Sequence, residues 1–446
     1  MKLTYQVNDR PGLLKTLVFA LQQMLAILAA TIAVPAIIGN GMSQSAALFG
    51  AGVGTIVYLF FTKFKSPVFL GSSFAFLGSM GAAFAGAASA SVGYLGLIIG
   101  AALAGLVYVA IAIVVKFCGT AWIDKIMPAA VIGPTVAIIG LSLSGNAAGD
   151  LLKGSVGVYV ENVFIPNASP YVALICGLVT LFTTIIASVY GKKMLKMIPF
   201  IIGIVAGYIV ASIFTVIGNI AEIPALQVVN FALFQNMEYV PKFAFVEAFK
   251  GFEALTFEYF VTILVAYVPV AFVVFAEHLS DHKNISSIIE TDLTKDPGLH
   301  RTLLGDGVGS IAGAFFGGCP NTTYGESVGC VAISGNASVV TIVTTAFICM
   351  IASFVGPFVT FLATIPSCVM GGVCVALYGF IAVSGLKMIQ KVDLADNRNL
   401  FTVSVILIAG VGGLKLTFGA ITITSIACAL ILGIITNIVV NIKCNK

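Results

Sequence analysis

Residues 317–326 read Gly-Gly-Cys-Pro-Asn-Thr-Thr-Tyr-Gly-Glu, a polar and turn-rich stretch between two apolar runs. The run that follows it, 327–333, would extend only about 10 Å as a helix at 1.5 Å per residue, too short to cross a hydrocarbon core of about 30 Å. An earlier stretch, 66–74, is similar: Ser-Pro-Val-Phe-Leu-Gly-Ser-Ser-Phe leads into an apolar run. Together they predict two short, broken helices, each preceded by an extended strand, that cross near the membrane centre.

The composition of the whole chain places both stretches in a membrane protein. Of the 446 residues, 59% are hydrophobic and 9% charged, with a mean hydropathy of +1.09, whereas a soluble chain is about 25% charged. This composition excludes soluble enzymes, nucleic-acid-binding proteins and disordered scaffolds. The apolar runs are continuous and therefore predict an all-α protein that crosses the lipid bilayer many times. The fourteen predicted segments, two of them short, are 13–38, 43–62, 68–85, 92–115, 128–144, 170–190, 197–219, 257–278, 304–317, 324–334, 338–356, 358–385, 399–414 and 417–441.

The positive charges predict the orientation. If the N-terminus is cytoplasmic and all fourteen segments cross or re-enter, only Lys153, Lys242, Lys250 and Lys415 of the 22 lysines and arginines fall outside. This bias predicts that both termini are cytoplasmic, in a multi-pass protein of the cell membrane. No signal peptide is expected before the first apolar run. The nine cysteines are scattered singly, and we interpret them as small apolar residues.

A weak internal repeat divides the chain. Residues 128–133 (Pro-Ala-Ala-Val-Ile-Gly) return as 366–371 (Pro-Ser-Cys-Val-Met-Gly), and the Ser-Gly pair at 144–145 returns at 384–385. Seven segments separate the copies, and an odd number gives them opposite orientations. The pattern predicts two inverted seven-segment repeats, as in secondary transporters. Chance similarity in sequence rich in Gly, Ala and Val is the alternative.

Two acidic residues, Glu277 and Glu326, lie within apolar segments rather than loops. An ionised carboxylate inside a membrane costs about 2.5–3.5 kcal/mol on insertion scales, and such groups usually face a functional cavity. The alternative for Glu277 is a carboxylate at a helix end that reaches the headgroups. For Glu326 it is a carboxylate that satisfies free N–H groups at a helix N-terminus.

Other ionisable residues cluster beside Glu277. Asp281 lies four residues further on and therefore shares its helix face, whereas His278 and His282 share the neighbouring face. His278 and His282 are interpreted as interface histidines at a cytoplasmic helix end, because no third metal ligand accompanies them. Asp306, at the start of a later segment, is a candidate N-terminal anion or further proton group. We expect no metal site and no cofactor.

Several segments resemble the nucleobase/cation symporters of the nucleobase–ascorbate transporter class. They are 276–281 (Ala-Glu-His-Leu-Ser-Asp), 296–301 (Asp-Pro-Gly-Leu-His-Arg), 305–307 (Gly-Asp-Gly), 320–326 (Pro-Asn-Thr-Thr-Tyr-Gly-Glu) and 70–76 (Leu-Gly-Ser-Ser-Phe-Ala-Phe). The resemblance extends over essentially the whole chain and is closest to the uracil branch. It implies an inverted repeat of fourteen segments, usually dimeric, in which a core domain (1–118 and 257–356) moves against a gate domain (119–256 and 357–446).

The same resemblance implies the site residues. In the uracil branch, the glutamates that match Glu277 and Glu326 contact the base, and the residues that match Tyr324, Gly325 and the backbone of Phe74 complete the pocket. The position of Asp281 is linked to proton coupling. Glutamate at position 326 is typical of uracil carriers, whereas xanthine and urate carriers tend to have glutamine there.

The chain departs from the family pattern at a few positions. Ser327 replaces the usual asparagine, Ser334 and Gly335 replace a threonine followed by a basic residue, and Cys319 stands where proline is common. We expect Ser327 to lie beside the pocket, which keeps a purine permease open as an alternative.

The predicted function is the import of uracil by proton symport. Uracil carries two N–H donors and two carbonyl acceptors, and carboxyl groups match such a ring because they accept, and when protonated also donate, hydrogen bonds. Glu277 is expected to take up a proton from the outside with the help of Asp281, while Glu326 and Asp306 are further proton-coupling candidates. Sodium is the alternative coupling ion.

Two other classes of membrane protein fit the sequence less well than a uracil symporter. A passive channel or anion transporter would need basic residues at the broken helices, but the first has none after Lys65 and the second has none between Arg301 and Lys387. A membrane metallohydrolase that uses His278 and His282 is the least favoured class.

Overall fold

The computed structural model describes residues 3–160, 163–192, 194–418 and 421–442. Lys2, Lys193, Lys443 and Lys446 of the predicted cytoplasmic set, and Cys444, lie outside these residues. The described chain is mainly helical, as its apolar runs predict. The helices are α1 (Leu13–Ile38), α2 (Gln44–Phe61), α3 (Leu77–Ala85), α4 (Ala90–Cys118), α5 (Ala121–Ile126), α6 (Ala129–Ser142), α7 (Ser144–Asp150), α8 (Pro170–Tyr190), α9 (Met194–Met197), α10 (Pro199–Ile220), α11 (Ala244–Phe249), α12 (Phe257–Ile289), α13 (Leu299–Gly317), α14 (Gly325–Ser334), α15 (Val339–Ala352), α16 (Gly356–Thr364), α17 (Ser367–Ile389), α18 (Asn397–Val411) and α19 (Ser425–Val440).

Short strands form three antiparallel pairs. The pairs are β1 (Leu70–Ser72) with β4 (Asn321–Thr323), β2 (Gly157–Val160) with β3 (Val163–Pro166), and β5 (Leu416–Phe418) with β6 (Ile421–Ile423). The first pair joins distant parts of the chain: Leu70 faces Thr323, and Ser72 faces Asn321. Because β1 leads into α3 and β4 leads into α14, the predicted pair of strands followed by short helices is present in the structure.

A close backbone approach holds this crossing together. A side chain on Gly71 would collide with the ring of Tyr324, whose hydroxyl donates to the Ser72 carbonyl at 2.8 Å. The absence of a Cβ at position 71 therefore lets the two strands come close enough for this bond.

Glycine-lined faces pack the long helices against one another. On α2 and α13, Gly50 approaches Gly313 while Gly54 approaches Gly309, so the two helices run antiparallel. On α6 and α17, Gly133 approaches Gly385 while Gly140 approaches Tyr378, which gives the same antiparallel order. Small residues at helix interfaces are typical of membrane proteins. The glycine clusters 50–54 and 371–372 are thus packing sites, as expected. A side chain on Gly372 would collide with the backbone carbonyl of Gly177.

Each copy of the sequence repeat begins a helix. Pro128 is the N-cap of α6 and Pro366 is the N-cap of α17. Val131 and Val369, which match in the repeat, are both fully buried. The matched motifs therefore start two helices that pack against each other in opposite directions.

Eight helical spans in the described residues are long and apolar enough to cross a membrane, or nine if the bent pair α15 and α16 forms one span. Several predicted boundaries are wrong. The segment predicted at 257–278 continues as α12 to Ile289, the segment 358–385 is divided between α16 and α17 at Ile365–Pro366, and the first residues of 417–441 belong to the β5–β6 hairpin.

Candidate functional site

A cavity of about 340 Å³ lies where α12 and α14 face α6, α10 and α17. Three carboxyl side chains line it: Glu277 and Asp281 from α12, and Glu326 from α14. Lys196, beside α10, is the one basic residue among the described residues that line the cavity. The remaining lining is mostly apolar or small, so the acidic groups are set in a largely apolar chamber.

Helix α12 carries Glu277 well inside its length. The helix begins after Thr256, whose hydroxyl accepts from the Tyr259 N–H, and ends at Glu290 in the left-handed region at φ +55°. Glu277 lies in the middle of this helix of 33 residues, so the interpretation of Glu277 as a helix-end carboxylate is wrong. Glu277, Ser280 and Asp281 line the same cavity, as their spacing of three and four residues predicts.

Glu326 lies in the first turn of α14, directly after the β4 strand. This places its carboxyl group at the N-terminal end of the helix, beside free backbone N–H groups. The predicted helix-start position is therefore confirmed, and the side chain also lines the cavity. Both predicted glutamates consequently reach one chamber although 49 positions separate them in the sequence.

Asp281 connects the cavity to the strand crossing. Its carboxylate accepts a hydrogen bond from the Thr323 hydroxyl at 3.1 Å, which joins α12 to β4. The side chain is 8% exposed and contributes to the cavity wall. A change in the charge of Asp281 would therefore act on both the cavity and the crossing.

Asp306 lies behind the cavity rather than in it. His278 Nδ1 is 2.7 Å from Asp306 Oδ2, and His278 Nε2 is 3.0 Å from the Thr302 hydroxyl. Because that hydroxyl donates to the Leu299 carbonyl, it accepts from His278, so Nε2 carries a proton. A second proton is then shared between Nδ1 and Asp306, so the pair links α12 to α13. Asp306 lies inside α13 (Leu299–Gly317), and its interpretation as an anion at a helix N-terminus is wrong.

The two histidines are internal residues. His278 and His282 are both fully buried, and their rings stack with centroids 3.9 Å apart. His282 Nε2 lies 2.7 Å from the Tyr58 hydroxyl, and its Nδ1 donates to the His278 carbonyl at 2.8 Å. The interpretation of both as interface histidines at a helix end is wrong, since α12 continues past both residues to Ile289. No group of three metal-binding side chains occurs in the part of the chain that the structure describes.

The sequence of the chain matches a known protein family. A family profile described as "Permease family" matches residues 14–418, nearly the whole chain. The chain belongs to this permease family. The match confirms the resemblance to nucleobase–ascorbate transporters, and the permease is a transporter rather than an enzyme.

Curated relatives cover the permease from end to end. A "Uracil permease" of Bacillus caldolyticus is 36% identical over 437 residues, which is 97% of this chain and 94% of the relative. A "Uracil permease" of Bacillus subtilis (strain 168) is also 36% identical, over 98% of this chain and 95% of the relative. A "Uracil permease" of Escherichia coli (strain K12) is 35% identical, over 96% and 92%.

Solved structures share the fold of the permease. The transmembrane domain of the cyanobacterium bicarbonate transporter BicA superposes with a TM-score of 0.64 at 17% identity, covering 98% of this chain and 100% of that one. The murine anion transporter Slc26a9 in the inward-facing state gives 0.64 at 14% identity, covering 98% and 69%. At these identities the likeness concerns the fold alone.

The aromatic residues implied by the family resemblance lie beside the permease cavity. The ring of Phe74 is 7% exposed and packs edge-on against Tyr378, and Tyr324 is 4% exposed with its hydroxyl on the Ser72 carbonyl. Neither lines the cavity, whereas Gly325 does. Base contacts by Phe74 and Tyr324 remain predictions.

Ser327 anchors the crossing and does not line the cavity. Its hydroxyl oxygen accepts from Gln23 Nε2 at 2.5 Å and from the Phe69 N–H at 2.9 Å. The side chain is fully buried. The family departure at this position therefore changes a structural hydrogen bond that ties α14 to α1 and to the first strand.

Sequence reasoning missed the far wall of the cavity. Phe200 on α10, Phe380 and Ser384 on α17, and Lys196 complete the chamber. None stands in a motif that marks a site, and the apolar ones look like ordinary membrane-facing residues. The repeat of 128–133 and 366–371 was the available indication, because it begins α6 and α17, which form part of this wall.

Proposed function

We propose that this permease imports uracil across the cell membrane by proton symport. The observation that carries the proposal is the convergence of Glu277 and Glu326 on one cavity of about 340 Å³. The names of the full-length relatives support uracil as the substrate. All three are uracil permeases, so the xanthine or urate alternative is not favoured.

The chemistry of the cavity suits a small heterocycle. Uracil binds between Glu277 and Glu326, which accept from its ring N–H groups and, where protonated, donate to its carbonyls. The apolar rings of Phe200 and Phe380 exclude water from the flat faces of the base, and Gly325 leaves room beside it. Tyr324 and the backbone of Phe74 join the pocket when the carrier changes conformation.

Proton coupling is assigned to the acidic groups on and behind α12. Glu277 takes up a proton from the outside, and Asp281, one helical turn away, assists it. Glu326 is a further coupling candidate within the cavity. The buried pair of His278 on α12 and Asp306 on α13 is a second proton store. Sodium is the alternative coupling ion.

Alternating access follows from the arrangement of the elements. The core, 1–118 and 257–356, contributes α12 and α14 to the cavity, while the gate, 119–256 and 357–446, contributes α6, α10 and α17. The antiparallel packing of α6 on α17 supports an inverted repeat of fourteen segments. The core moves against the gate in a homodimer whose chain ends are both cytoplasmic.

Uptake into proteoliposomes tests the proposal. Radiolabelled uracil should accumulate when the lumen is alkaline relative to the bath and not when the two are equal. Glu277→Gln should retain folded protein but lose the response to the gradient, with Glu258→Gln on the exposed first turn of α12 as a control that keeps it. Uptake that ignores an imposed pH gradient would rule out proton coupling, and a response to sodium alone would select the other ion.

A further inference from the structure

A second cavity, of about 630 Å³, adjoins the one that holds the glutamates. The two cavities share Ser280 of α12 and Ser384 of α17 in their walls. The second cavity is lined by three lysines, Lys283, Lys387 and Lys391, and we call it the basic vestibule. The two serines therefore lie between the first cavity, which we call the acidic cavity after Glu277, Asp281 and Glu326, and the basic vestibule.

The three lysines stand on two facing stripes. On α12, Ser280 and Lys283 are three residues apart and therefore lie on one helix face. On α17 and its end, Ser384, Lys387 and Lys391 repeat at three and four residues and form the opposing face. One element belongs to the proposed core and the other to the proposed gate, so the basic vestibule lies between the two parts that would move.

The three lysines of the basic vestibule are exposed and unpaired. Within the described residues, none of them forms an ion pair, whereas Lys242 and Lys250 each contact a glutamate at 2.7 Å. Among the lining residues that the structure describes, none is acidic. The acidic groups that face it across the serines are Glu277, Asp281 and Glu326 of the first cavity, where Lys196 is the basic residue.

The two cavities together form a site with an acidic end and a basic end. Glu277 and Lys283 are six residues apart on α12, which corresponds to about 9 Å along the helix axis. One end suits a ring with N–H donors, and the other suits a multivalent anion. The carboxylates repel a phosphate from the first end, so a molecule that carries both groups can enter in one orientation only.

We propose that the basic vestibule binds the phosphate of a uracil nucleoside monophosphate whose base, bonded to ribose at N1, donates its remaining ring N–H in the acidic cavity. This inference rests on the proposed uracil site. The phosphate connects Lys283 on one domain with Lys387 and Lys391 on the other, and so opposes their relative movement. The nucleotide acts as an inhibitor from the side of the predicted cytoplasmic lysines and is not carried.

Competition binding tests the inference. Permease in phosphatidylcholine nanodiscs is loaded with radiolabelled uracil, and uridine 5′-monophosphate is compared with uridine, which lacks only the phosphate. We expect the nucleotide to displace uracil at a concentration at least tenfold lower than uridine. The triple variant K283Q/K387Q/K391Q should remove that difference, while Lys116→Gln, an exposed lysine that lines neither cavity, should preserve it.

Each contrary result has a separate meaning. If uracil binds but the nucleotide is no better than uridine, the inference is wrong and the proposed function stands; if uracil itself does not bind, the proposed function fails. Two further controls use inorganic phosphate added with uridine, and phosphatidylglycerol in the nanodisc. If either reproduces the full effect of the nucleotide, the lysines bind a free anion or a lipid headgroup, and the inference is overturned. Should the triple variant not fold, the three single Lys→Gln variants must each reduce the preference for the nucleotide.

Discussion

Glu277 and Glu326 reach one cavity for different local reasons. Glu277 projects from the middle of a continuous helix, whereas Glu326 stands in the first turn of a short helix that begins where β4 ends. The first position therefore requires an uninterrupted α12, and the second requires the strand crossing. The two supports meet at the Thr323–Asp281 hydrogen bond, and each glutamate can be replaced without removing that bond.

Replacing Glu326 by glutamine should weaken uracil binding by more than tenfold. The amide keeps the size of the side chain but cannot carry the negative charge that accepts strongly from ring N–H groups. Isothermal titration of the purified protein with uracil measures the change, and Glu258→Gln serves as the charge-matched control. Unchanged affinity would remove Glu326 from the list of ligand contacts.

Ser327→Ala should lower stability and leave ligand choice as it is. The change deprives Gln23 and the Phe69 N–H of their shared acceptor, and an unsatisfied buried donor costs about 1–3 kcal/mol. We expect a lower melting temperature in detergent and the same ranking of uracil over xanthine. Ser334→Ala, a half-buried serine at the other end of α14, is the control. A switch toward xanthine would instead place Ser327 in the specificity pocket.

At the scale of elements, the sequence predicts where a helix is interrupted better than it predicts where a helix ends. The Pro-Asn-Thr-Thr-Tyr-Gly run at 320–325 cannot form a lipid-facing helix, so β4 and α14 were predictable, and α1 is found at its predicted bounds. The end of α12 was not, because residues 280–284 are polar and look like a loop. In the structure His282 is buried, and its ring contacts the Tyr58 hydroxyl of α2, a tertiary contact that the local sequence does not reveal.

The pairing of β1 with β4 predicts that two glycine-to-alanine substitutions have very different effects on stability. Gly71→Ala should destabilise the protein by about 1–3 kcal/mol, because the added methyl overlaps the Tyr324 ring in a packed site. Gly81→Ala on the adjoining α3 meets nothing within 4 Å and should be neutral or stabilising. Thermal unfolding of both variants, followed by uracil titration, makes the comparison. Equal melting temperatures would show that the two strands can separate without cost.

For the whole molecule, the cavity wall is divided between elements of the proposed core and the proposed gate. The glycine-rich contacts of α2 with α13 lie within the core, and those of α6 with α17 lie within the gate. The cavity of about 340 Å³ lies between the elements assigned to the two parts. In the proposed division, this cavity is the space that relative movement of core and gate would open to one side or the other.

Fixing the two bodies together should stop transport. Cysteines placed at Ser280 and Ser384, which line both cavities, can be joined by a flexible bifunctional maleimide in a Cys118→Ser background, since Cys118 is the exposed one of the described cysteines. We expect cross-linked protein to lose uptake by more than tenfold, while each single cysteine variant treated in the same way keeps most of it. Full uptake after complete cross-linking would contradict movement of the core against the gate.

The pairing of Leu70–Ser72 with Asn321–Thr323 also constrains how the protein is made. The edge of β1 has no partner until the ribosome has added about 250 further residues, so the early part of the chain must wait in or beside the insertion machinery with that backbone unsatisfied. The cavity lined by Glu277 and Glu326 is consequently among the last parts to be completed during synthesis, since its lining extends to Ser384. A polypeptide released before residue 321 would carry a defect that proteolytic quality control can recognise.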